Sequence, residues 1–445
     1  MLKVGIISLG CARNAVDSEI ILGSLKKGGF DIRDAEEGVD ICIINTCAFV
    51  RPAREESVNT ILEASRWKKR GKIKKLIVCG CLSQLYKEGL AEQFPETDLV
   101  VGTNDFSKIA SLVRDLTKDG IRTHVSRGSP NYLYNEHSPR FLLTPSHYAY
   151  VKISEGCSNF CSYCIISRLR GRFRSRSINS ILAEIKCLSR SGKLKEVNLI
   201  GQDTTLFGMD RYGKIAFPLL LKRICSLETG VRWVRILYTH PAHYTDELIE
   251  TIRSEAKICK YLDIPIQHIS DKILKRMNRR TTRKEIIELI TKLRKKIPDI
   301  VLRTSIIVGF PGETDKDFKE LMSFIEDMRF ERLGAFIYSR EEGTRASRFD
   351  RQVGAKAKRA RLDALMRLQR RISRDRNKSF LGKEVDVLID EKVQAEKNRY
   401  IGRTEGDAPE VDGMVYVTGS SLEPGKFCRV RITDTLEYDL VGKAI

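Results

Sequence analysis

Three cysteines within one short segment form the strongest chemical signal in the sequence. Cys157, Cys161 and Cys164 are separated by three and then two residues and follow a predicted strand. Thiolates at this spacing can ligate three corners of one 4Fe–4S cube. A structural zinc site usually needs four protein ligands, and the neighbouring sequence offers neither a fourth cysteine nor a histidine. The spacing therefore predicts a cluster with one iron open to a small molecule.

Three further cysteines are far apart in the sequence but share one structural context. Cys11, Cys47 and Cys81 each stand shortly after the end of a predicted strand. The C-terminal ends of parallel strands border one crevice of an open α/β sheet, so the three thiols are expected to converge unless the pattern is a coincidence. The other cysteines are predicted to be buried and unreactive, and they are Cys42, Cys79, Cys187, Cys225, Cys259 and Cys428.

Four segments with different patterns carry these residues. Residues 1–115 alternate continuous apolar strands with helical stretches, which predicts a small doubly wound α/β domain. Residues 116–145 contain three prolines and are predicted to be a connector. Residues 146–375 repeat the strand–helix alternation about six times, which predicts a partial (β/α)6 barrel followed by a basic helix. Residues 376–445 have short strands and turn signals and are predicted to form a small antiparallel β-barrel.

The predicted strands are defined by apolar runs. In the first segment they are Val4–Leu9, Asp40–Asn45, Lys75–Val78 and Asp98–Val101. In the third segment they are Tyr150–Ser154, Glu196–Gly201, Trp233–Tyr238, Tyr261–Ile266, Leu302–Gly309 and Arg332–Ser339.

Composition sets the class of protein. The chain has 445 residues, 42% hydrophobic and 31% charged, which excludes wholesale disorder. No apolar run reaches the ~20 residues of a membrane span, and the N-terminus is predicted to be a strand rather than a signal peptide. A cytoplasmic location is therefore expected. The net charge of +21 indicates either a polyanionic partner such as RNA or solvated helix faces.

The first cysteine motif, with Tyr163 before Cys164, resembles the signature of the radical S-adenosylmethionine (radical SAM) family. This resemblance implies that S-adenosyl-L-methionine chelates the open iron and that an electron from the cluster releases a 5′-deoxyadenosyl radical. It also implies that Tyr163, Gly201, Gln202, Gly309 and Gly312 lie near that cofactor. The glycines allow close backbone approach to a ligand, although a tight turn between strand and helix would explain them equally.

The whole chain resembles the methylthiotransferases, which combine a three-cysteine N-terminal domain, a radical SAM core and a C-terminal TRAM barrel. By this resemblance Cys11, Cys47 and Cys81 hold an auxiliary 4Fe–4S cluster that carries the sulfur to be inserted. The resemblance also implies a second S-adenosylmethionine as methyl donor and an electron donor such as a flavodoxin or ferredoxin. A non-catalytic iron–sulfur RNA-binding protein is the alternative of another class.

Two substrates compete within this family: a modified adenosine in tRNA, and the β-carbon of an aspartate in small-subunit ribosomal protein S-twelve. The basic charge favours RNA. Five local motifs resemble the branch that modifies the protein, and they begin at Ser8, Gln202, Asp263, Tyr338 and Asp407. Ala12-Arg13, Ser167 and Val411 depart from the usual pattern of that branch. We therefore expect the protein substrate, with the charge explained by docking beside ribosomal RNA or by a basic proteome, and the small barrel gripping the ribosomal protein.

Two further patterns carry weaker predictions. Five arginines alternate just after the first cysteine motif, and in an extended chain they would share one face. Such a face would anchor a carboxylate or would simply be solvated. His240 and His243 flank Pro241 and are expected to be ordinary loop residues. The five arginines are Arg168, Arg170, Arg172, Arg174 and Arg176.

Overall fold

The computed structural model describes residues 1–116, 123–125, 129–394 and 396–445. The helices in these residues are α1 (Ala12–Lys27), α2 (Arg51–Lys69), α3 (Cys81–Tyr86), α4 (Glu88–Gln93), α5 (Ile109–Leu116), α6 (Ile166–Arg170), α7 (Ile178–Ser189), α8 (Met209–Tyr212), α9 (Phe217–Cys225), α10 (Asp246–Ser254), α11 (Asp271–Arg276), α12 (Arg283–Lys296), α13 (Asp315–Met328) and α14 (Ala355–Lys378). Short 3-10 turns lie at Ala35–Glu37, Phe106–Lys108, Pro241–His243 and Ala346–Arg348.

The strands are β1 (Lys3–Ser8), β2 (Asp31–Ile32), β3 (Ile41–Thr46), β4 (Lys75–Gly80), β5 (Leu99–Val101), β6 (Thr123–His124), β7 (Tyr148–Lys152), β8 (Ser154–Glu155), β9 (Arg174–Ser175), β10 (Glu196–Ile200), β11 (Trp233–Ile236), β12 (Ile258–Asp263), β13 (Val301–Val308), β14 (Arg332–Ile337), β15 (Glu384–Lys392), β16 (Arg399–Arg403), β17 (Val415–Thr418), β18 (Phe427–Thr435) and β19 (Leu440–Ala444).

The chain divides into two compact units. Unit 1 contains Met1–Thr144, Tyr150–Glu184 and Glu341–Thr344. Unit 2 contains Pro145–Ala149, Ile185–Arg340 and Arg345–Ile445. Both sets of candidate cysteine ligands therefore lie in unit 1.

Unit 1 is built on a six-stranded parallel sheet with the order β2-β1-β3-β4-β5-β6. The predicted doubly wound α/β fold is confirmed. Every residue of β3 is buried, because separate apolar cores cover the two faces of the sheet. The predicted connector 116–145 lies partly outside the described residues, and within it β6 pairs with β5 as the last strand of the sheet.

Unit 2 contains a parallel sheet and a small barrel. Five neighbouring strands of the sheet have the order β14-β13-β12-β11-β10, and the sixth, β7, begins in this unit at Tyr148. All six predicted strands of this segment are present. Helices α12 and α13 each begin with a capping box, formed by Thr282 with Glu285 and by Thr314 with Asp317, which satisfies two of the free N–H groups of the first turn.

The small barrel is closed, with the strand order β15-β16-β17-β19-β18. The predicted five strands are confirmed, but β17 and β19 pair in parallel whereas the other neighbours are antiparallel. The basic helix α14 buries Leu365 and Ile372 on its apolar side. None of the described helices combines the length and apolar character that a membrane-spanning helix requires.

Candidate iron–sulfur sites

The first set of cysteines lies at the C-terminal edge of the sheet in unit 1. Cys47 and Cys81 directly follow β3 and β4, and Cys11 stands three residues after β1, where α1 begins. In the order β2-β1-β3-β4 the chain reverses direction across the sheet between β1 and β3, and open α/β sheets bind ligands at this switch point. The structure therefore brings three positions that are distant in sequence to one edge.

Close packing holds this edge together. A Cβ at Gly10 would stand 2.7 Å from Cβ and 2.9 Å from Sγ of Cys47, and the φ of Gly10 is +95°. Only glycine meets both conditions without strain. The amide of Asn14 donates to the carbonyls of Leu9 and Thr46 at 2.8 and 2.9 Å, so it fastens the segments before Cys11 and Cys47 to each other. The Oδ1 of Asn14 lies 3.9 Å from Sγ of Cys81.

The three thiols differ in acidity. Burial raises the pKa of Cys47 to about 12 and also raises the pKa of Cys81. Burial opposes ionisation of Cys11 as well, but the guanidinium of Arg13 lowers the pKa of this thiol. Without iron, Cys47 is therefore protonated at neutral pH. Because thiolates are the ligands of iron–sulfur clusters, binding of a cluster here must release protons.

The second set lies in the loop between β8 and α6. The N–H of Cys157 donates to the carbonyl of Gly171 at 3.1 Å, and the N–H of Cys164 donates to the carbonyl of Cys161 at 3.0 Å. All three thiols are partly exposed. Burial, and the charge of Cys161 next to it, raise the pKa of Cys164 to about 12. The backbone thus fixes a three-thiol loop that stays accessible from outside.

Both sets have the donor chemistry of an iron–sulfur site. Each set supplies three soft sulfur donors, which suit iron–sulfur clusters. Thiolates around a four-iron cube stand further apart than the ligands of a single ion, because the irons lie between them. Among the described residues, a group that could hold a single ion is formed elsewhere, by Asp203, His240 and His243.

Sequence reasoning missed that group. The Oδ2 of Asp203 lies 2.9 Å from Nδ1 of His243, and the rings of His240 and His243 stack with centroids 4.8 Å apart. Burial opposes ionisation of Asp203, but the hydrogen bond and charge of His243 lower its pKa to about 2. Burial and the charge of Arg279 lower the pKa of His240 well below its usual value. The available signal was the position of these residues after β10 and β11, since active sites lie at that end of barrel strands.

Three family models match the chain. The model described as "Radical SAM superfamily" matches residues 151–325, the one described as "Uncharacterized protein family UPF0004" matches residues 3–102, and the TRAM domain model matches residues 381–445. A protein of Geobacter sulfurreducens named "Ribosomal protein uS12 methylthiotransferase RimO" is 46% identical, and the match covers 100% of this chain and 98% of the relative. A protein of the same name from Lachnoclostridium phytofermentans is 47% identical with 100% of both chains covered.

The chain belongs to the RimO family. Its radical SAM segment implies a 4Fe–4S cluster and S-adenosylmethionine, and this segment contains the loop of Cys157, Cys161 and Cys164.

Two solved structures share the fold of this RimO-family chain. The radical S-adenosylmethionine methyltransferase TsrM from Kitasatospora setae is 14% identical with a TM-score of 0.55, over 75% of this chain and 73% of that one. The cobalamin-dependent S-adenosylmethionine radical enzyme OxsB is 15% identical with a TM-score of 0.53, over 84% of this chain and 56% of that one. At such identities the likeness shows the fold alone.

The expected contacts of S-adenosylmethionine are distributed over three loops. Tyr163 lies in the cysteine loop of unit 1, Gly201 and Gln202 directly follow β10 in unit 2, and Gly309 and Gly312 follow β13 in unit 2. That these five residues contact S-adenosylmethionine stays a prediction.

Side chains of unit 2 already occupy the space beside the two glycines after β13. A Cβ at Gly309 would stand 2.3 Å from Cγ of Lys358, and one at Gly312 would stand 2.9 Å from Nε of Arg276. Both glycines also have positive φ values, +71° and +88°. The carboxylate of Glu313 accepts the N–H of Gly309 at 2.7 Å, which helps to hold the turn in place.

The alternating arginines do not form one face. Arg168 and Arg170 lie in helix α6, which the extended-chain prediction did not allow for. Arg170 and Arg176 are buried whereas Arg168 and Arg172 are exposed. That prediction is wrong, because alternation produces a common face only in a strand.

The prediction that the other six cysteines are buried is also wrong in part. Cys42, Cys79, Cys225 and Cys259 are buried, Cys187 is exposed and Cys428 is partly exposed. Cys187 lies in the amphipathic helix α7, on the side that faces solvent, whereas Cys42 and Cys79 lie inside strands of the sheet.

Proposed function

We propose that this chain transfers a methylthio group to the β-carbon of an aspartate in ribosomal protein uS12, the protein S-twelve, using two 4Fe–4S clusters. The observation that carries the proposal is the presence of two three-cysteine sets within one compact unit. Relatives that match over the full chain are named as uS12 methylthiotransferases. Cys157, Cys161 and Cys164 would hold one cluster, and Cys11, Cys47 and Cys81 the other.

Two adjacent residues, Arg170 and Gly171, support the proximity of the two cysteine sets. The Nη2 atom of Arg170 lies 3.3 Å from Sγ of Cys81, and the carbonyl of the next residue, Gly171, accepts the N–H of Cys157 at 3.1 Å. Adjacent residues therefore contact one ligand of each set. Because a carbon radical must meet its sulfur source before it meets water, we infer that both sites open to one shared cavity.

The chemistry divides between the two sites. When bound, the cluster at Cys157 supplies the electron that cleaves S-adenosylmethionine, and the cluster at Cys11 carries sulfur. The protein side chains orient these groups and exclude water, which protects a reactive radical. A low-potential one-electron donor such as a flavodoxin or ferredoxin would supply the electron, and we expect the enzyme to work in the cytoplasm.

The basic charge of +21 favours a tRNA adenosine as the competing substrate. Mass spectrometry of uS12 and of total tRNA, from a strain that lacks the gene, separates the two. We expect the methylthio mass on the uS12 aspartate to disappear while the tRNA nucleosides stay unchanged. Loss of a tRNA methylthio nucleoside with uS12 intact would overturn the proposal.

The division between the sites is tested by two matched variants. Cys161→Ala should abolish formation of 5′-deoxyadenosine, because it removes a ligand of the S-adenosylmethionine-binding cluster. Cys47→Ala should leave that cleavage largely intact and stop sulfur transfer. Cleavage is measured by chromatography of the anaerobically reconstituted protein after reduction, and equal loss in both variants would contradict the assignment.

A further inference from the structure

Four buried charged side chains form one cluster in unit 1, and one of them, Arg170, reaches Cys81. The Nζ of Lys152 lies 2.6 Å from Oδ1 of Asp17 and 2.7 Å from Oε2 of Glu155. The Nη1 of Arg170 lies 2.5 Å from Oδ2 of Asp17 and 3.7 Å from Oε2 of Glu155. None of the four side chains is more than 6% exposed. Two cations and two carboxylates give a set with no net charge.

Arg170 alone extends this set to a cysteine. Its Nη2 donates to Oδ1 of Asn14 at 2.7 Å and lies 3.3 Å from Sγ of Cys81. Both contacts are buried. The same Asn14 fastens the segments that precede Cys11 and Cys47, as described above. The planar guanidinium therefore reaches a carboxylate, an amide and a sulfur at once, which an ammonium on a lysine stem does not reproduce.

We propose that Arg170 is a positioning residue that raises the reduction potential of the cluster held by Cys11, Cys47 and Cys81. This inference rests on the proposed function, because it assumes a cluster at that site. Hydrogen bonds to cluster sulfurs and the net charge of the surroundings are two of the factors that set such potentials. An N–H donor at the Cys81 thiolate withdraws negative charge and so favours the reduced, more negative cluster.

The direction of the effect follows from the charges. Arg170→Gln removes the donor at the sulfur and leaves one cation facing the two carboxylates Asp17 and Glu155, a net charge of −1. Both changes lower the potential. Arg170→Lys keeps the positive charge but loses the planar set of N–H donors, so it should lower the potential by a smaller amount.

The test is a redox titration followed by electron paramagnetic resonance on the reconstituted full chain. Cys157, Cys161 and Cys164 are replaced by alanine in every sample, so that the N-terminal cluster gives the signal. Arg140→Gln is the matched control: this side chain is 5% exposed and pairs with Glu19, on the same helix as Asp17, and with Glu184. We expect Arg170→Gln to lower the ratio of reduced to oxidised cluster about tenfold at a fixed potential, which is about 59 mV for one electron. Arg140→Gln should change the ratio less than about twofold, since a tenfold change already needs about 59 mV.

The other outcomes of this experiment overturn either the inference about Arg170 or the proposed function. An unchanged potential in Arg170→Gln, with the cluster present, overturns the inference and leaves the proposed function standing. Loss of the cluster from both Arg170→Gln and Arg170→Lys also overturns it, because Arg170 then only maintains the shape of the site. If the parent without Cys157, Cys161 and Cys164 binds no cluster, the proposed function fails and the inference falls with it.

Discussion

Replacing Arg403 should destabilise unit 2 far more than replacing Arg399, although the two arginines are the last and first residues of the same strand, β16. The guanidinium of Arg403 donates to both carboxylate oxygens of Asp390 at 2.8 and 2.9 Å and to Glu196 at 2.7 Å. Its side chain is 6% exposed, and that of Glu196 is fully buried. Arg399 instead pairs with Glu396, and both side chains are about half exposed.

The magnitude follows from the burial. Arg403→Met leaves Glu196 with Arg235 and Asp390 with His147 as their remaining partners. Removing one member of a buried ion pair costs about 3–5 kcal/mol, because a charge is left uncompensated. An exposed pair such as that of Arg399 contributes about 0–1 kcal/mol. At a typical slope of about 2 kcal/mol per molar urea, Arg403→Met should lower the midpoint of unfolding by about 2 M.

Fluorescence of Trp233 reports this transition. Its ring packs edge-on against Phe427 of the small barrel, with centroids 4.8 Å apart, and Trp67 is replaced by phenylalanine in every sample so that one tryptophan gives the signal. The double variant Arg403→Met with Glu196→Gln should regain part of the loss, because it neutralises a buried carboxylate that has lost one of its two partners. Midpoints of Arg403→Met and Arg399→Met that agree within about 0.5 M, or about 1 kcal/mol at that slope, would refute the reasoning.

Two more predictions concern acid stability and the cysteine edge. Burial lowers the pKa of His268 to about 3, so between pH 6.5 and 3 this histidine is protonated in the unfolded chain but not in the folded one. As the pH falls through this range, the free energy of unfolding of unit 2 therefore decreases by about 1.4 kcal/mol per pH unit. Urea unfolding at pH 7 and 5.5 should show this decrease for the parent and not for His268→Asn, whose amide oxygen can replace Nδ1 as the acceptor for the N–H of Ser270. Gly10→Ala should displace Cys47 and reduce iron at the N-terminal site alone, whereas Gly71→Ala, at a positive φ with nothing within 4 Å, should keep it; equal iron content would contradict the packing argument.

The strands could be predicted because parallel strands that are buried on both faces require continuous apolar runs. β3 and β4 fall within one or two residues of the expected bounds. β12 begins three residues before its predicted start and ends at Asp263, since Pro265 has no N–H to continue the ladder. β2 has only two residues, Asp31 and Ile32, and its short polar-apolar pair gives no pattern to detect.

Cysteine positions were predictable for the same reason, whereas their surroundings were not. Strand ends locate Cys47 and Cys81 directly. The contact between Arg170 and Cys81 joins residues 89 positions apart, and no local pattern specifies it. The alternation of arginines even suggested an extended chain. Helix α6 has only five residues, which is too few for a helical repeat to be recognised in the sequence.

The motif that begins at Asp407 contains two acidic side chains that are used in packing within unit 2. The side chains of Asp407 and Asp412 are each 2% exposed, and they pair with Arg332 and Arg303 of the parallel sheet. Asp412 also accepts the hydroxyl of Tyr261 at 2.7 Å. These acids therefore join the small barrel to the sheet within unit 2, so any direct discrimination between uS12 and tRNA by this loop must come from exposed members such as Val411, the position where the chain departs from the usual pattern.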